Sequence, residues 1–391
     1  MSACHWSDGL DVLKINDAHI AYRHRPGLGR TMVFANSLGS DQSIWDKVIA
    51  ALPGGYGILT YDLPGHGQSG GLASSIEGLA GDLSQLMDAL GLRDVLFCGV
   101  SIGGMIGQVL TARRADVVRA AILCNSAPKI GDANKWQTRI DVVTAHGVAG
   151  VASDIVSTWF GSSYASNKER IALHKTMVTR ASDEGYIAAC KAIRDADLHE
   201  FTAGITQPTL CVGGTEDQSV PADSVRDLAS LIPNAEVNIL PGIGHLPCLE
   251  TPELLAKLIM EFDRQNSDTT SAGNAVRRAV LGADHVDRAN AAMTPLDTAF
   301  QTLITTGAWG QVWASPGISA RDRSILTLAL LAATGNFDEI PMHIRATRHT
   351  GATERDITEA FQHVAIYAGV PRANHALKLA KATLAEMQQD A

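Results

Sequence analysis

The sequence predicts two folds in succession: an α/β domain on a mostly parallel sheet with a helical cap, then a separate all-α domain. Three observations predict this. Up to about residue 263, short apolar runs alternate with helical stretches; one long gap in that alternation lacks a strand; and beyond residue 274 every periodic segment is helical. A chain of 391 residues also exceeds the size at which single cores usually stop growing, so two domains are expected.

The strand runs are TMVFAN (31–36), GILTYDL (57–63), DVLFCGV (94–100), RAAILCN (119–125), TLCVGG (209–214) and AEVNIL (235–240). Several are short and continuously apolar, as strands covered on both faces by helices are. Their alternation with helices implies crossover connections and a parallel sheet. The gap, about 128–205, reads as a helical insertion forming a cap. Asp263 to Asn274 is polar and aperiodic, which predicts a linker over 264–274 between domains at 1–263 and 275–391. In the second domain Ser319 with Asp322, and Thr353 with Asp356, have the spacing of helix-start capping boxes. The first precedes SILTLALLAA (324–333), apolar all round and therefore expected to be buried.

The formal net charge of -9 argues against nucleic acid or an anionic membrane as partner and leaves small molecules. The N-terminal MSACHWSDGLDV has neither a basic region nor an apolar run, so no signal peptide is expected. No apolar stretch approaches the ~18 residues of a membrane span. The cysteines, Cys4, Cys98, Cys124, Cys190, Cys211 and Cys248, form no CxxC and read as thiols in a reducing cytoplasm. No His/Asp/Glu cluster has metal-ligand spacing, so neither metal nor cofactor is expected.

Gly99-Val-Ser101-Ile-Gly103 follows the run DVLFCGV and precedes the helical MIGQVLTARRA. This is GxSxG in the strand–turn–helix context that lifts a serine hydroxyl clear of a sheet, and it makes Ser101 the candidate nucleophile. A serine needs a base, and the base an orienting acid. Asp217 and its neighbour Glu216 lie just past the run TLCVGG. His245 lies past AEVNIL, in Pro241-Gly-Ile-Gly-His245. Both loops leave strand C-terminal ends, where doubly wound sheets build their sites. His66, in Asp62-Leu-Pro-Gly-His-Gly, precedes the serine and reads as shaping a tight turn. Acyl transfer also needs two backbone N–H donors for an oxyanion, expected from Ile102 and from Leu38 in the loop after TMVFAN. In the cap, Arg139 and Lys191, with Trp136 as an apolar wall, are candidates to hold a substrate carboxylate.

Residues 10–262 resemble the α/β-hydrolase superfamily. Within it, NSLG, YDLPGHGQS, GVSIGG, GGTEDQSVP and GIGHLP are similar to the 3-oxoadipate enol-lactonases. The resemblance selects Asp217 over Glu216, because the family pattern is G-x-x-x-D-x-x-x-P. Many relatives open the oxyanion loop with His-Gly; this chain has Asn36-Ser37 instead.

Residues 275–377 resemble the 4-carboxymuconolactone decarboxylases through VRRAVLGADHVDRA, AFQTLITTGAWGQVW, SPGISARDRSILTLALLAATG, MHIRA and VAIYAGVPRANHA. The resemblance implies the all-helical, alkylhydroperoxidase-D-like fold and a homo-oligomer assembled through this domain. Where the alkylhydroperoxidase-D proteins carry a CxxC three residues before a histidine, this chain has Asn336 and Glu339 before His343, so thiol redox chemistry is excluded. Decarboxylation needs no cofactor, because electrons left by departing CO2 delocalise into the unsaturated lactone. It needs cations for the carboxylates, a donor at the lactone oxygen and an acid to protonate the carbanion. Candidates are His285 and Arg288, spaced i, i+3; Arg323; His343 with Arg345; and Glu339, spaced i, i+4 from His343 and able to orient it. Trp309 and Trp313 read as core or interface.

The two families catalyse consecutive steps, since the decarboxylase product is the lactonase substrate. The resemblances together imply a bifunctional enzyme of protocatechuate breakdown in the 3-oxoadipate pathway. The alternative is a serine esterase or cofactor-free haloperoxidase fused to a non-catalytic oligomerisation module.

Overall fold

The computed structural model describes residues 9–27, 30–266, 269–315 and 317–389. The chain divides into two compact units, the first ending at Asn266 and the second formed, among the described residues, by 269–389 with the short segments at Gly27 and 53–56.

The first unit is built on eight strands: β1 (Asp11–Ile15), β2 (Ala18–Arg25), β3 (Thr31–Ala35), β4 (Gly57–Tyr61), β5 (Val95–Val100), β6 (Val118–Cys124), β7 (Thr209–Gly214) and β8 (Ala235–Leu240). Their order is β1-β2-β4-β3-β5-β6-β7-β8. The pairs β1–β2 and β2–β4 are antiparallel; the rest of the sheet is parallel. All six predicted runs are strands. β4, β5 and β7 are buried along their whole length, as their apolar sequences require. The hairpin β1–β2 lies outside those runs. Its signal is local: Asn16-Asp17 turns the chain, with Asn16 at φ 51°, a conformation that asparagine tolerates and hairpin turns need.

Helices fill the predicted cap between β6 and β7: Ala133–Ser157, Ser162–Ala165, Lys168–Val178, Asp183–Asp195 and His199–Ala203. The first is long and apolar enough, by length and composition, to cross a bilayer. It breaks at Gly147 (φ 68°, ψ 171°), so neither half reaches the ~20 residues of a span. The Asp183 carboxylate accepts a hydrogen bond from Val148 N (2.7 Å) just past the break.

Among its described residues the second unit is helical throughout: Thr269–Leu281, Ala283–Ala291, Thr298–Ile304, a π-helix Thr305–Trp313, then Ala320–Thr334, Ile340–Thr350, Glu354–Tyr367 and Val370–Gln389. The Ser319 side chain caps its helix by accepting from Asp322 N, and Thr353 with Asp356 forms a full capping box. One core gathers Leu328, Ala332, Ile340, Ile344, Phe361 and Ala376. A second gathers Val276, Val280, Trp309, Trp313 and Ala346, which places both tryptophans in core as expected.

Two expectations are corrected. The linker over 264–274 is largely helix, because one helix runs to Gln265 and the next begins at Thr269; Ser267 and Asp268 lie outside the described residues. Gly273, within that stretch, has a packing role: a Cβ on it would sit 2.1 Å from the Thr305 carbonyl oxygen. The helix Ala320–Thr334 is not buried all round either. Ser324, Leu328 and Ala332 face the core, while Leu326 and Leu330, on the opposite side, are 51% and 63% exposed.

Candidate functional site

Ser101 sits between β5 and the helix Ile102–Arg113 at φ 59°, ψ −118°, a strained conformation for a residue with a side chain. The flanking glycines make the turn sterically feasible. A Cβ on Gly99 would lie 2.4 Å from Gly103 O, and one on Gly103 would lie 2.3 Å from Ala35 O. The strained turn is anchored by Ser101 N donating to Cys124 O (3.0 Å) and by Ser126 Oγ donating to Ser101 O (2.9 Å).

Asp217 and His245 meet at the C-terminal ends of β7 and β8. His245 Nδ1 donates to Asp217 Oδ2 at 2.8 Å. The other carboxylate oxygen, Oδ1, accepts from Ser219 N (2.7 Å) and Val220 N (3.0 Å), so the buried acid is held from both sides. Glu216, the rival acid, instead accepts from Ser162 N in the cap, which holds its carboxyl below the usual range. His66 is buried in its turn, its Nδ1 3.2 Å from Pro64 O, and burial holds its pKa down.

Ser101 and His245 line one cavity of about 90 Å³, together with Leu38 and, from the cap, Lys135, Trp136, Arg139 and Tyr186. The backbone N–H groups of Leu38 and Ile102 donate to nothing among the described residues. Arg139 Nη1 donates to Tyr186 Oη (3.2 Å). Trp136 donates its indole N–H to Ile130 O, which fixes its ring on the wall. Lys191 is a correction: it is exposed and does not line the cavity. It follows Tyr186 by five residues on the same helix, a rotation of about 140° away from the face that Tyr186 presents.

Three contributors escaped the sequence reading. Lys135, one turn before Arg139, is a second cation on the cavity wall. Asn125, buried just past β6 at φ 43°, joins the two loops that carry acid and base. Its Oδ1 accepts from Gly214 N (2.9 Å), and its Nδ2 donates to Gly244 O (3.0 Å) and His245 O (2.8 Å). Glu250 accepts from Gly161 N and Gly244 N, tying the histidine loop to the cap; burial pushes its carboxyl up to about 7 against those two donors. An asparagine at a strand end and a glutamate at a helix end carry no spacing signal, so only the fold reveals them.

In the second unit His343 is buried and stacks on Trp313, with ring centroids 6.4 Å apart. Its Nδ1 has no hydrogen-bond partner among the described residues, and burial holds its pKa down at about 4. Glu339 does not orient it. The helix begins at Ile340 with a proline in its first turn, which leaves Glu339 exposed in the preceding 3-10 turn. Arg345 is also displaced from His343, because two residues along a helix is the opposite face; it pairs with Glu386. Arg323 is half-buried and donates to the Ser315 carbonyl. His285 is half-buried and Arg288 exposed on the helix Ala283–Ala291. No group of three or more His, Cys, Asp or Glu among the described residues could hold a metal ion.

This is a hydrolase architecture joined to a helical unit, and comparison with known proteins agrees. Residues 30–252 match the model of the alpha/beta hydrolase fold, and residues 298–382 that of the carboxymuconolactone decarboxylase family. 3-Oxoadipate enol-lactonase 1 of Acinetobacter baylyi is 32% identical over 59% of this chain and 87% of its own length. The 4-carboxymuconolactone decarboxylase of the same organism is 39% identical over 28% of this chain and 81% of its own length. The crystal structure of the enol-lactonase from Burkholderia xenovorans LB400 superposes with a TM-score of 0.62 at 32% identity, covering 64% of this chain and 99% of that one. The chain belongs to the α/β-hydrolase fold family in its first unit and to the carboxymuconolactone decarboxylase family in its second.

Proposed function

We propose that the chain is a bifunctional enzyme of the 3-oxoadipate pathway. Its second unit decarboxylates 4-carboxymuconolactone to 3-oxoadipate enol-lactone, and its first hydrolyses that lactone to 3-oxoadipate. The observation that carries the reading is the His245–Asp217 hydrogen bond at a cavity shared with Ser101, in a chain related to both enzymes.

In the hydrolase, Ser101 Oγ attacks the lactone carbonyl while His245 takes its proton. Asp217 holds the imidazole in the tautomer that leaves Nε2 free to accept, and stabilises the imidazolium that forms. The Leu38 and Ile102 N–H groups receive the developing oxyanion. Ring opening gives an acyl-enzyme: the ester C–O bond breaks, the departing enol oxygen takes the proton back from His245, and the enol tautomerises to the ketone. Water, activated by His245, then releases 3-oxoadipate and restores the serine. The substrate keeps a carboxylate, which Arg139 and Lys135 hold over Ser101 from the cap.

Exposed apolar side chains in the second unit, among them Leu296 (95%), Phe300 and Ile366, favour a homo-oligomer built through this unit. Free, buried Cys98, Cys124, Cys190, Cys211 and Cys248 suit a reducing, cytoplasmic compartment.

The test is the full-length Ser101→Ala variant supplied with 4-carboxymuconolactone. CO2 should be released at close to the wild-type rate while enol-lactone accumulates. Release of 3-oxoadipate above the uncatalysed rate would remove Ser101 as nucleophile.

A further inference from the structure

The arginines of the second unit divide by their partners. Arg278 pairs with Asp287, Arg321 with Asp356 and Arg345 with Glu386, each at the surface. Arg277, next to Arg278 in the chain, is 8% exposed and has neither a hydrogen bond nor an ion pair among the described residues; its buried Nε is unpartnered. An isolated buried guanidinium is costly, and such groups persist where an anion is supplied.

Helix geometry places this cation. Gly273, Val276, Arg277 and Val280 follow the i, i+3, i+4, i+7 spacing of one helical face. Gly273 abuts the π-helix backbone, and Val276 and Val280 pack with Trp309, Trp313 and Ala346. His343 lies one turn before Ala346 on the helix Ile340–Thr350, 8% exposed, stacked on Trp313, with Nδ1 unpartnered. A buried guanidinium Nε and a buried imidazole Nδ1, neither with a partner among the described residues, therefore flank one cluster, Arg277 through the helix that carries Val276 and Val280 and His343 through its stacking on Trp313.

We propose that Arg277 and His343 form the substrate site of the decarboxylase, Arg277 binding a carboxylate and His343 donating an N–H to the lactone carbonyl oxygen. This rests on the decarboxylase reading given above. Arg277 takes the carboxylate that the substrate retains, because an ion pair to the departing one would stabilise the ground state and be lost as CO2 leaves. The C–C bond to the departing carboxylate breaks, and its electron pair enters the unsaturated lactone as an enolate whose charge falls on the oxygen facing His343. A proton from water then adds to carbon and completes the enol-lactone. A neutral imidazole suits that role, and burial keeps His343 neutral.

The experiment uses the full-length chain, with enol-lactone hydrolysis by the first unit as internal control. Arg277→Met should raise KM for 4-carboxymuconolactone by about 10- to 100-fold, Arg277→Lys should recover part of the loss, and hydrolysis should be unchanged in both. His343→Gln, which keeps an N–H, should retain more kcat than His343→Leu. Calorimetry with tricarballylate, a non-reacting tricarboxylate, supplies a readout independent of turnover: binding should be lost in Arg277→Met and weakened in Arg277→Lys. If the wild type binds tricarballylate through Arg277 yet releases no CO2 from the lactone, the anion site stands and the reaction assignment falls. Wild-type KM and tricarballylate affinity in Arg277→Met would overturn the site. Should that variant fail to fold, Arg277→Lys decides: a wild-type KM and affinity there overturns the site equally.

Discussion

In the first unit Asp217 has both carboxylate oxygens engaged, His245 is fixed through Nδ1, and Asn125 and Glu250 brace the loops behind them. In the second unit His343 and Arg277 bury polar atoms that nothing among the described residues satisfies. The contrast follows from the chemistry of each unit. A hydroxyl is a weak nucleophile, so the protein must hold base and acid in register before substrate arrives. A decarboxylated lactone is its own electron sink, so the protein needs only a few donors, and the substrate can complete their hydrogen bonds. The first site is finished by the chain, the second by its ligand.

The most direct way to break the first half of this comparison is to alter the acid. Asp217→Asn should lower kcat for enol-lactone by about 10⁴-fold by disfavouring the productive imidazole tautomer, with CO2 release from 4-carboxymuconolactone unaffected. Glu216→Gln should change hydrolysis little, because that carboxylate serves Ser162 in the cap. Equal losses in the two variants, followed by enol-lactone absorbance, would reinstate Glu216 as a rival.

The next effect tests the second half. His343→Leu should lower decarboxylation by about 10²-fold or more through loss of a donor at the developing charge. The unit should melt no earlier at neutral pH, because the substitution also removes a buried, unsatisfied nitrogen. His245→Leu should behave oppositely in stability, since it strips a buried carboxylate of its partner. Matching drops in melting temperature would mean that His343 is as well satisfied in solution as His245.

Why one site was more legible than the other is a matter of spacing. Ser101 was readable because GxSxG forces a strand–turn–helix within a few residues. His245 was readable because its loop follows a strand. Asp217 needed the family pattern to separate it from Glu216, and the structure separates them by partner. The proposed partners of His343 misled because i, i+4 spacing assumes one continuous helix, and Pro341 starts that helix after Glu339. Arg277 was missed although VRRAVLGADHVDRA was recognised, because nothing in the sequence separates it from its neighbour Arg278, which pairs with Asp287 at the surface. Of the sheet, the six apolar runs were visible, while β1 and β2, at one end with half-exposed faces, lacked the continuous apolar signature.

A smaller effect sharpens the cap assignment. Arg139→Met should raise KM for enol-lactone by about 10-fold while leaving a neutral ester unaffected, because only the first substrate brings a carboxylate to the cavity wall. Lys135→Met should act in the same direction, and Lys191→Met should do nothing, since its side chain is exposed away from the cavity. Equal KM changes on both substrates would assign Arg139 to packing against Tyr186 instead of to charge recognition.

The smallest expected effect is thermal and uses pH to read how His343 is housed. Burial holds its folded pKa at about 4, below the ~6.5 of an unfolded histidine. Between those values the unfolded chain binds a proton that the folded unit does not. The stability from this group is therefore fully present above pH 6.5 and is lost progressively as pH falls toward 4. Leucine at this position cannot titrate. The melting temperature of the helical unit, followed at pH 7.5, 6, 5 and 4.5, should fall more steeply in the wild type than in His343→Leu. The gap between them should widen on acidification to on the order of 5 °C. Other acid-sensitive groups, such as the Arg321–Asp356 pair, are common to both proteins and cancel in the difference. Parallel melting curves would show that His343 already has a partner able to stabilise its charge, and the contrast between the two sites would then disappear.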